Sequence, residues 1–321
     1  ILTVFSLIVG LRWDVGKDYM AYYYLVIGNV WGINRIEPFC RLPMLLIQKY
    51  ELPFYLWFII MAVIQIGFLV FTFERKILAL LPLGVVCFLS YELGFDLNVV
   101  RQGCALSIAL YAYTFINENK WKYFLIWIIV AAMFHKTAIV FAPLYFIGKY
   151  KNILNIKYQL LLFFSFMVLG PIVVQWFIEA TGSYWELLSY DQKIDQLADH
   201  RWEIKGGAGL GVIFTNLRRF FIILMSKLML RHYKDSGFCV LYNLFFVGAC
   251  MYSATSNDML LERLCKYFSI CDIAISAYFF HYTLKIDKRY NLLGYAFLSG
   301  VLAITVFEAI TSKEWNFVNL L

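Results

Sequence analysis

Arg12, Asp14, Lys17 and Asp18 crowd into one short stretch, interleaved with Trp13, Tyr19 and Tyr22, Tyr23 and Tyr24, directly after an apolar run over 1–9. A charge at the mouth of a membrane helix is costly unless it finds a partner or water. So dense a mixed cluster points to binding or catalysis, and the competing reading is an interfacial belt of aromatic and basic side chains. Further cations stand far apart in the chain, near or inside other apolar runs: Arg101, His135, Lys136, Arg218, Arg219 and Arg263. Only a folded bundle could collect them.

Arg218 and Arg219 lie nine or ten residues beyond Gly209, roughly 14 Å down a helix at 1.5 Å per residue. Two guanidiniums at that depth need an anion, or carboxylate partners among Asp258, Glu262 and Asp272. Guanidinium is planar, permanently charged and suited to bidentate contact with phosphate, so a set of such arginines points to a lipid-linked phosphate or diphosphate. Sugar chemistry beside it would need a proton acceptor, for which His135, Asp14 and Asp18 are the candidates. A structural histidine, and local pairing of Asp14 and Asp18 with Arg12 or Lys17, are the competing readings. Imidazole is the usual base near neutral pH, whereas a carboxylate flanked by a cation stays charged and weakly basic. His135 is therefore favoured as base over Asp18.

The elements that must position these groups are membrane helices. The chain is 62% hydrophobic and 15% charged, with a mean hydropathy of +0.70, against about half apolar in soluble domains. An all-α, polytopic helical membrane protein follows, read as a single integral domain over 1–321. The net charge of +7 falls on membrane-flanking turns and gives no footprint for nucleic acid. No phosphate-cradling P-loop, HExxH or metal-spaced Cys/His pattern is present, so neither an ATP-driven nor a zinc mechanism, and no metal or cofactor, is expected. Most of the seven cysteines lie in apolar runs and read as small hydrophobes.

Apolar runs predict spans at about 54–73, 77–90, 104–116, 160–178, 237–253, 264–282 and 292–310, with a further helix carrying Arg218 and Arg219 after the glycine-rich turn 206–209. The run 123–144 is interrupted by Phe134-His135-Lys136-Thr137 and reads as two half-helices meeting at His135. Run 1–11 is too short to span a bilayer core and no methionine opens the chain, so about eleven segments is a minimum. Two outer loops, about 12–52 and 181–209, are predicted. The first carries a short surface helix near 42–47, the second an amphipathic helix with Tyr184, Leu187, Leu188, Ile194 and Leu197 against Asp191, Asp195 and Asp199. Alternating the spans puts thirteen basic and four acidic residues on one side, net +9, against net −2 for all the others. The positive-inside rule then places the +9 face in the cytoplasm and both loops outside.

The stretch Gly10-Leu11-Arg12-Trp13-Asp14-Val15-Gly16-Lys17-Asp18-Tyr19, with Tyr22 or Tyr23 after it, resembles the GLRY-x-VG-T-D-Y…Y opening of the EpsG-type polysaccharide polymerases, a branch of the Wzy O-antigen and capsule polymerases. Glu37-Pro38-Phe39, Arg101-Gln102 with Ala105, Phe134-His135-Lys136-Thr137-Ala138, and Arg263 with Tyr267-Phe268 are similar to its later landmarks, in the same order. Lys17 replaces the usual threonine. The resemblance implies a glycosyltransferase C-like helical protein of the bacterial inner membrane, with a cavity facing the periplasm. There it would join undecaprenyl-diphosphate-linked oligosaccharide repeat units without a cofactor, in a setting of membrane lipid, flippase and chain-length regulator proteins. On that reading His135, Asp18 and Arg12 serve catalysis, His135 as base with Arg12 and Asp18 orienting the acceptor sugar, and Arg101, Arg218, Arg219, Arg263 and Lys136 hold diphosphate. Asp14, Tyr19 and Tyr23 meet the acceptor sugar. An O-antigen ligase-like transferase and a lipid-linked oligosaccharide flippase or transporter are the alternatives.

Overall fold

The computed structural model describes residues 2–16, 18–28, 32–76, 78–149, 153–180, 210–234, 237–255 and 259–311. Every regular element among them is helical. The expected amphipathic helix of the second outer loop, the glycine-rich turn, Lys17 and Asp258 lie outside the described residues.

Helix α1 (Leu2–Gly10) packs against α4 (Tyr55–Lys76), and Gly10 makes the approach possible, since a Cβ there would stand 2.7 Å from the Ile59 Cα. Between them, α2 (Tyr19–Val26) buries Tyr19, Tyr22 and Val26, a three- and four-residue spacing that lays one face on the core. Tyr19 stacks on Phe58 and Tyr22 on Trp57, both of α4. The sequence predicts loop over much of this stretch, because tyrosines next to charges mask the helical period. Helix α3 (Pro38–Lys49) follows, with proline in its first turn. Cys40, Met44 and Ile47 face inward while Leu42, Leu45 and Leu46 face outward.

The interior is formed by helices apolar on all sides. Helices α5 (Leu81–Tyr91) and α6 (Leu93–Asn98) lead into α7 (Val100–Asn117), buried around almost its whole circumference, and α8 (Trp121–Phe134) returns along it. The expected break at His135 is present. Helix α8 ends there in extended backbone (φ −154°, ψ 113°), and a 3-10 helix, Lys136–Phe141, continues before the short α9 (Leu144–Gly148).

Next come α10 (Ile156–Ala180), α11 (Leu210–His232), α12 (Phe238–Thr255), α13 (Met259–Ser269), α14 (Cys271–His281) and α15 (Asn291–Thr311). The sequence reading drew α13 and α14 as one span. The structure interrupts it at Ile270, just after Ser269 turns its hydroxyl back onto the Lys266 carbonyl. Helix α13 is amphipathic, carrying Glu262, Arg263 and Lys266, whereas α14 is buried all round. Apolar windows at Tyr55–Arg75, Ile156–Trp176 and Lys288–Phe307 are long enough to cross a membrane, and shorter apolar helices run over Leu78–Tyr91, Trp121–Phe134 and Phe238–Tyr252. Along α10 and α15, Leu161, Val168, Trp176, Leu292, Phe307 and Ile310 point outward. Water would not tolerate so continuous an apolar surface, which is that of a membrane protein.

Candidate active site

The His135 break brings together residues from the ends of four elements. Glu37 occupies the N-cap position of α3 but its side chain does not cap that helix. It reaches instead to the far side of the break. Oε2 pairs with the Arg101 guanidinium of α7, and Oε1 accepts from the Lys136 backbone N–H at 3.4 Å. His135 Nδ1 lies 3.3 Å from the same Oε1, close enough for an ion pair though poorly aligned as a hydrogen bond. Arg101 also donates through Nε to the Tyr22 hydroxyl, 3.3 Å away. Burial pushes the Tyr22 phenol up to about 12, so it accepts as a neutral hydroxyl. Burial would raise the Glu37 carboxyl too, but His135 and the charge of Arg101 outweigh it and hold the group at about 2.

The wall beyond is α13. Thr137 Oγ1 lies 3.1 Å from the Tyr267 hydroxyl, and Gln102 Nε2 donates to the Arg263 carbonyl at 2.6 Å. Tyr113 of α7 donates to the Tyr267 carbonyl at 2.8 Å. Arg263 is half-buried, and its guanidinium has no hydrogen-bond or ion-pair partner among the described residues.

A second polar centre adjoins the other side of α13, in a cavity of about 460 Å³ lined by Tyr91, Arg218, Arg219, Tyr252, Lys266 and Asp272, with apolar Phe214, Val301 and Ile304 beside them. Asp272 takes Arg218 bidentately, Nη1 at 2.6 Å and Nη2 at 3.0 Å, and Arg219 Nε at 2.9 Å. Arg218 also donates to Ser276, which in turn donates to Asp272 at 2.9 Å. The Tyr91 and Tyr252 rings lie 4.3 and 4.5 Å from the two guanidiniums. Lys266 Nζ meets Glu92 at 3.0 Å. Three cations thus face two carboxylates. Among the described residues, Arg218 Nε, Arg219 Nη1 and the Tyr91 hydroxyl are buried with no hydrogen-bond partner. Such donors can serve an anion in the cavity.

The expected site residues therefore divide. His135, Arg101 and Lys136 meet at one centre, with Arg263 on the helix that walls it; Arg218 and Arg219 are at the other. Of the carboxylates foreseen for those two arginines, Asp272 is their partner. Asp18 stands at the N-cap position of α2, close to Tyr22, without a capping side-chain hydrogen bond, and Tyr23 is half-buried, edge-on to Trp13 and Phe54. Asp14 is exposed, with a left-handed backbone (φ +51°).

Tyr19, expected to meet sugar, is instead fully buried against Phe58. Arg12, expected to orient the acceptor, is 3% exposed and donates to the carbonyls of Val9 (2.8 Å), Val15 (3.2 Å) and Leu97 (3.4 Å). Gly16 (φ +99°) lies on the same Leu97, whose oxygen would be 2.5 Å from a Cβ there. Both residues fasten the opening loop to the end of α6.

Residue reasoning gave no role to Glu37, Glu92 or Lys266. For Glu37 a signal existed, the Glu-Pro step at a helix start inside a quoted landmark; Glu92 and Lys266 sit 174 positions apart and carried none.

No curated protein and no solved structure matches the chain. The EpsG family matches residues 1–319, so that the residues quoted from the opening, Glu37, Arg101, His135 and Arg263 fall within one continuous match, and the chain belongs to the EpsG family.

Proposed function

We propose that the protein is a polysaccharide polymerase of the glycosyltransferase type, moving a growing glycan from its lipid diphosphate onto the hydroxyl of a new lipid-linked oligosaccharide unit. The family points to a polymerase-type membrane protein, and the observation that carries the finer reading is convergence. Tyr22, Glu37, Arg101 and His135, scattered over more than a hundred positions, meet through direct contacts, and Thr137, two residues beyond, joins the break to Tyr267 of the wall.

Transfer from a diphosphate requires no further activation, because the leaving group is already a stable anion. The protein must align an acceptor hydroxyl, take its proton and stabilise the departing charge. His135 is 19% exposed at its side chain, open enough to meet substrate, and serves as the proton acceptor. Arg263, on the wall helix α13 and without a side-chain partner among the described residues, supplies a guanidinium for a ligand. In the adjoining cavity Arg219 Nη1 and the Tyr91 hydroxyl are the donors left for the lipid diphosphate, with apolar Val301 and Ile304 beside the first prenyl units. The acceptor sugar lies towards Tyr23, Asp14 and Asp18. Undecaprenyl diphosphate as carrier, the bacterial inner membrane as location and a periplasmic site belong to the same proposal, supported by the basic turns expected to face the cytoplasm.

Purified protein incubated with lipid-diphosphate-linked repeat units tests it. A ladder of longer glycans is the expected result. Translocation of the units between leaflets with no new glycosidic bond, or transfer to a lipid A core alone, would overturn it.

A further inference from the structure

On the reading of His135 as proton acceptor, we infer that Glu37 is the positioning residue of the reaction: it holds the imidazole by its Nδ1 edge, leaves Nε2 for the acceptor hydroxyl, and balances the charge the ring gains.

The geometry specifies this in three ways. First, an ionised carboxylate can only accept, so the Nδ1 that faces it must carry the ring proton, and Nε2 keeps its lone pair. Second, the carboxylate cannot swing away. Arg101 grips Oε2, the Lys136 N–H holds Oε1, and Arg101 is itself braced by Tyr22. Third, Glu37 forgoes the hydrogen bond that its N-cap position offers to its own helix, and places a side chain only 9% exposed across the gap to the end of α8. A resting contact of 3.3 Å with imperfect alignment is usual before substrate binds, and tightens as the ring becomes charged.

In the step so arranged, the acceptor oxygen forms a bond to the anomeric carbon as its proton passes to His135 Nε2. The bond from that carbon to the diphosphate oxygen breaks, and the diphosphate leaves with the electron pair. Glu37 stays ionised beside the imidazolium, and the ring gives its proton to the departing diphosphate or to water.

The test is a double-mutant cycle on the purified protein with lipid-diphosphate-linked repeat units, reading kcat and KM separately. Glu37→Gln should lower kcat by about 10²-fold, the lower end of what a positioned base contributes, with KM nearly unchanged. Combined with His135→Ala it should be no slower than His135→Ala alone, because a residue acting only through another adds nothing once that one is gone. Losses that multiply would overturn the inference, as would wild-type kcat in Glu37→Gln alongside a slow His135→Ala. Undiminished kcat in His135→Ala would instead overturn the proton-acceptor reading itself. If Glu37→Gln yields no folded protein, Glu37→Asp replaces it. That variant keeps a charge for Arg101 but withdraws it from His135 by one methylene. Lowered kcat at an unchanged melting temperature supports the positioning role, and unchanged kcat refutes it.

Discussion

Asp272→Asn removes one charge and strands two. Asp272 is the carboxylate that Arg218 and Arg219 both contact, through hydrogen bonds of 2.6, 3.0 and 2.9 Å. Arg218 is 1% exposed and Arg219 4%, so water in the adjoining cavity replaces little of what the variant loses. Breaking one buried pair by deleting a partner costs about 3–5 kcal/mol. Here one deletion leaves two guanidiniums uncompensated, and the amide keeps at most two of the three hydrogen bonds while its NH2 faces an arginine donor, which puts the expected loss at the upper end, about 5 kcal/mol. Unfolding of the purified protein in detergent, followed by intrinsic tryptophan fluorescence, measures it. A triple variant, Arg218→Met/Arg219→Leu/Asp272→Leu, removes both guanidiniums with their carboxylate for apolar groups of similar size and should recover much of the lost stability while making no polymer. An unfolding midpoint for Asp272→Asn equal to wild type would refute the reasoning, since some other group would then be balancing the arginines. A triple variant as unstable as the single one would refute it too.

Four further outcomes follow from the same geometry. Arg12→Lys should destabilise by about 1–3 kcal/mol, as buried carbonyls lose donors, while activity per folded molecule, counted by size-exclusion recovery, stays unchanged. Arg263→Lys should do the reverse, because it loses a planar contact to ligand rather than to protein: polymer formation falls and the melting temperature holds. Gly248→Ala should cost about 1–3 kcal/mol, since its Cβ would come within 2.8 Å of the backbone of Phe268 and Ser269 on α13, and polymer should shorten as that helix is pushed from the His135 centre. Glu37, held at about 2 against an ordinary 4.5, contributes stability that is fully present above the ordinary value and lost as pH falls through the lower one. The melting temperature of wild type should therefore lie above that of Glu37→Gln at pH 5 and higher, with the gap closing as pH falls from about 4.5 and gone near pH 2.

Much of the helical organisation was legible because apolar runs long enough to span a membrane can hardly be anything but helix. The half-helices at His135 were legible for the same reason, as neither piece was long enough alone. What escaped was pairing across the bundle. The contact between Glu92 and Lys266 leaves no trace in local spacing, and Arg12, written among charges and aromatics, looks the same in sequence whether it meets a sugar or three carbonyls. Tyr19 was misleading in the same way: its neighbours in the chain are polar, but its neighbour in space is Phe58. Asp272 was foreseeable because two arginines at that depth demanded a carboxylate and few were near in the chain. The division into two centres on either side of α13 was not, since it depends on which way successive side chains of one helix point.

The fastening of the opening loop bears on how substrate is admitted. With Arg12 tied to three carbonyls and Gly16 seated on Leu97, the stretch from Leu11 to Gly16 is a fixed rim. It cannot fold over an arriving glycan as a lid would. On the proposed reading, selection at this edge rests on fit against a rigid contour, with no closing step to reject a poor match, and the glycan already made slides past it between one addition and the next without waiting for a gate to reopen.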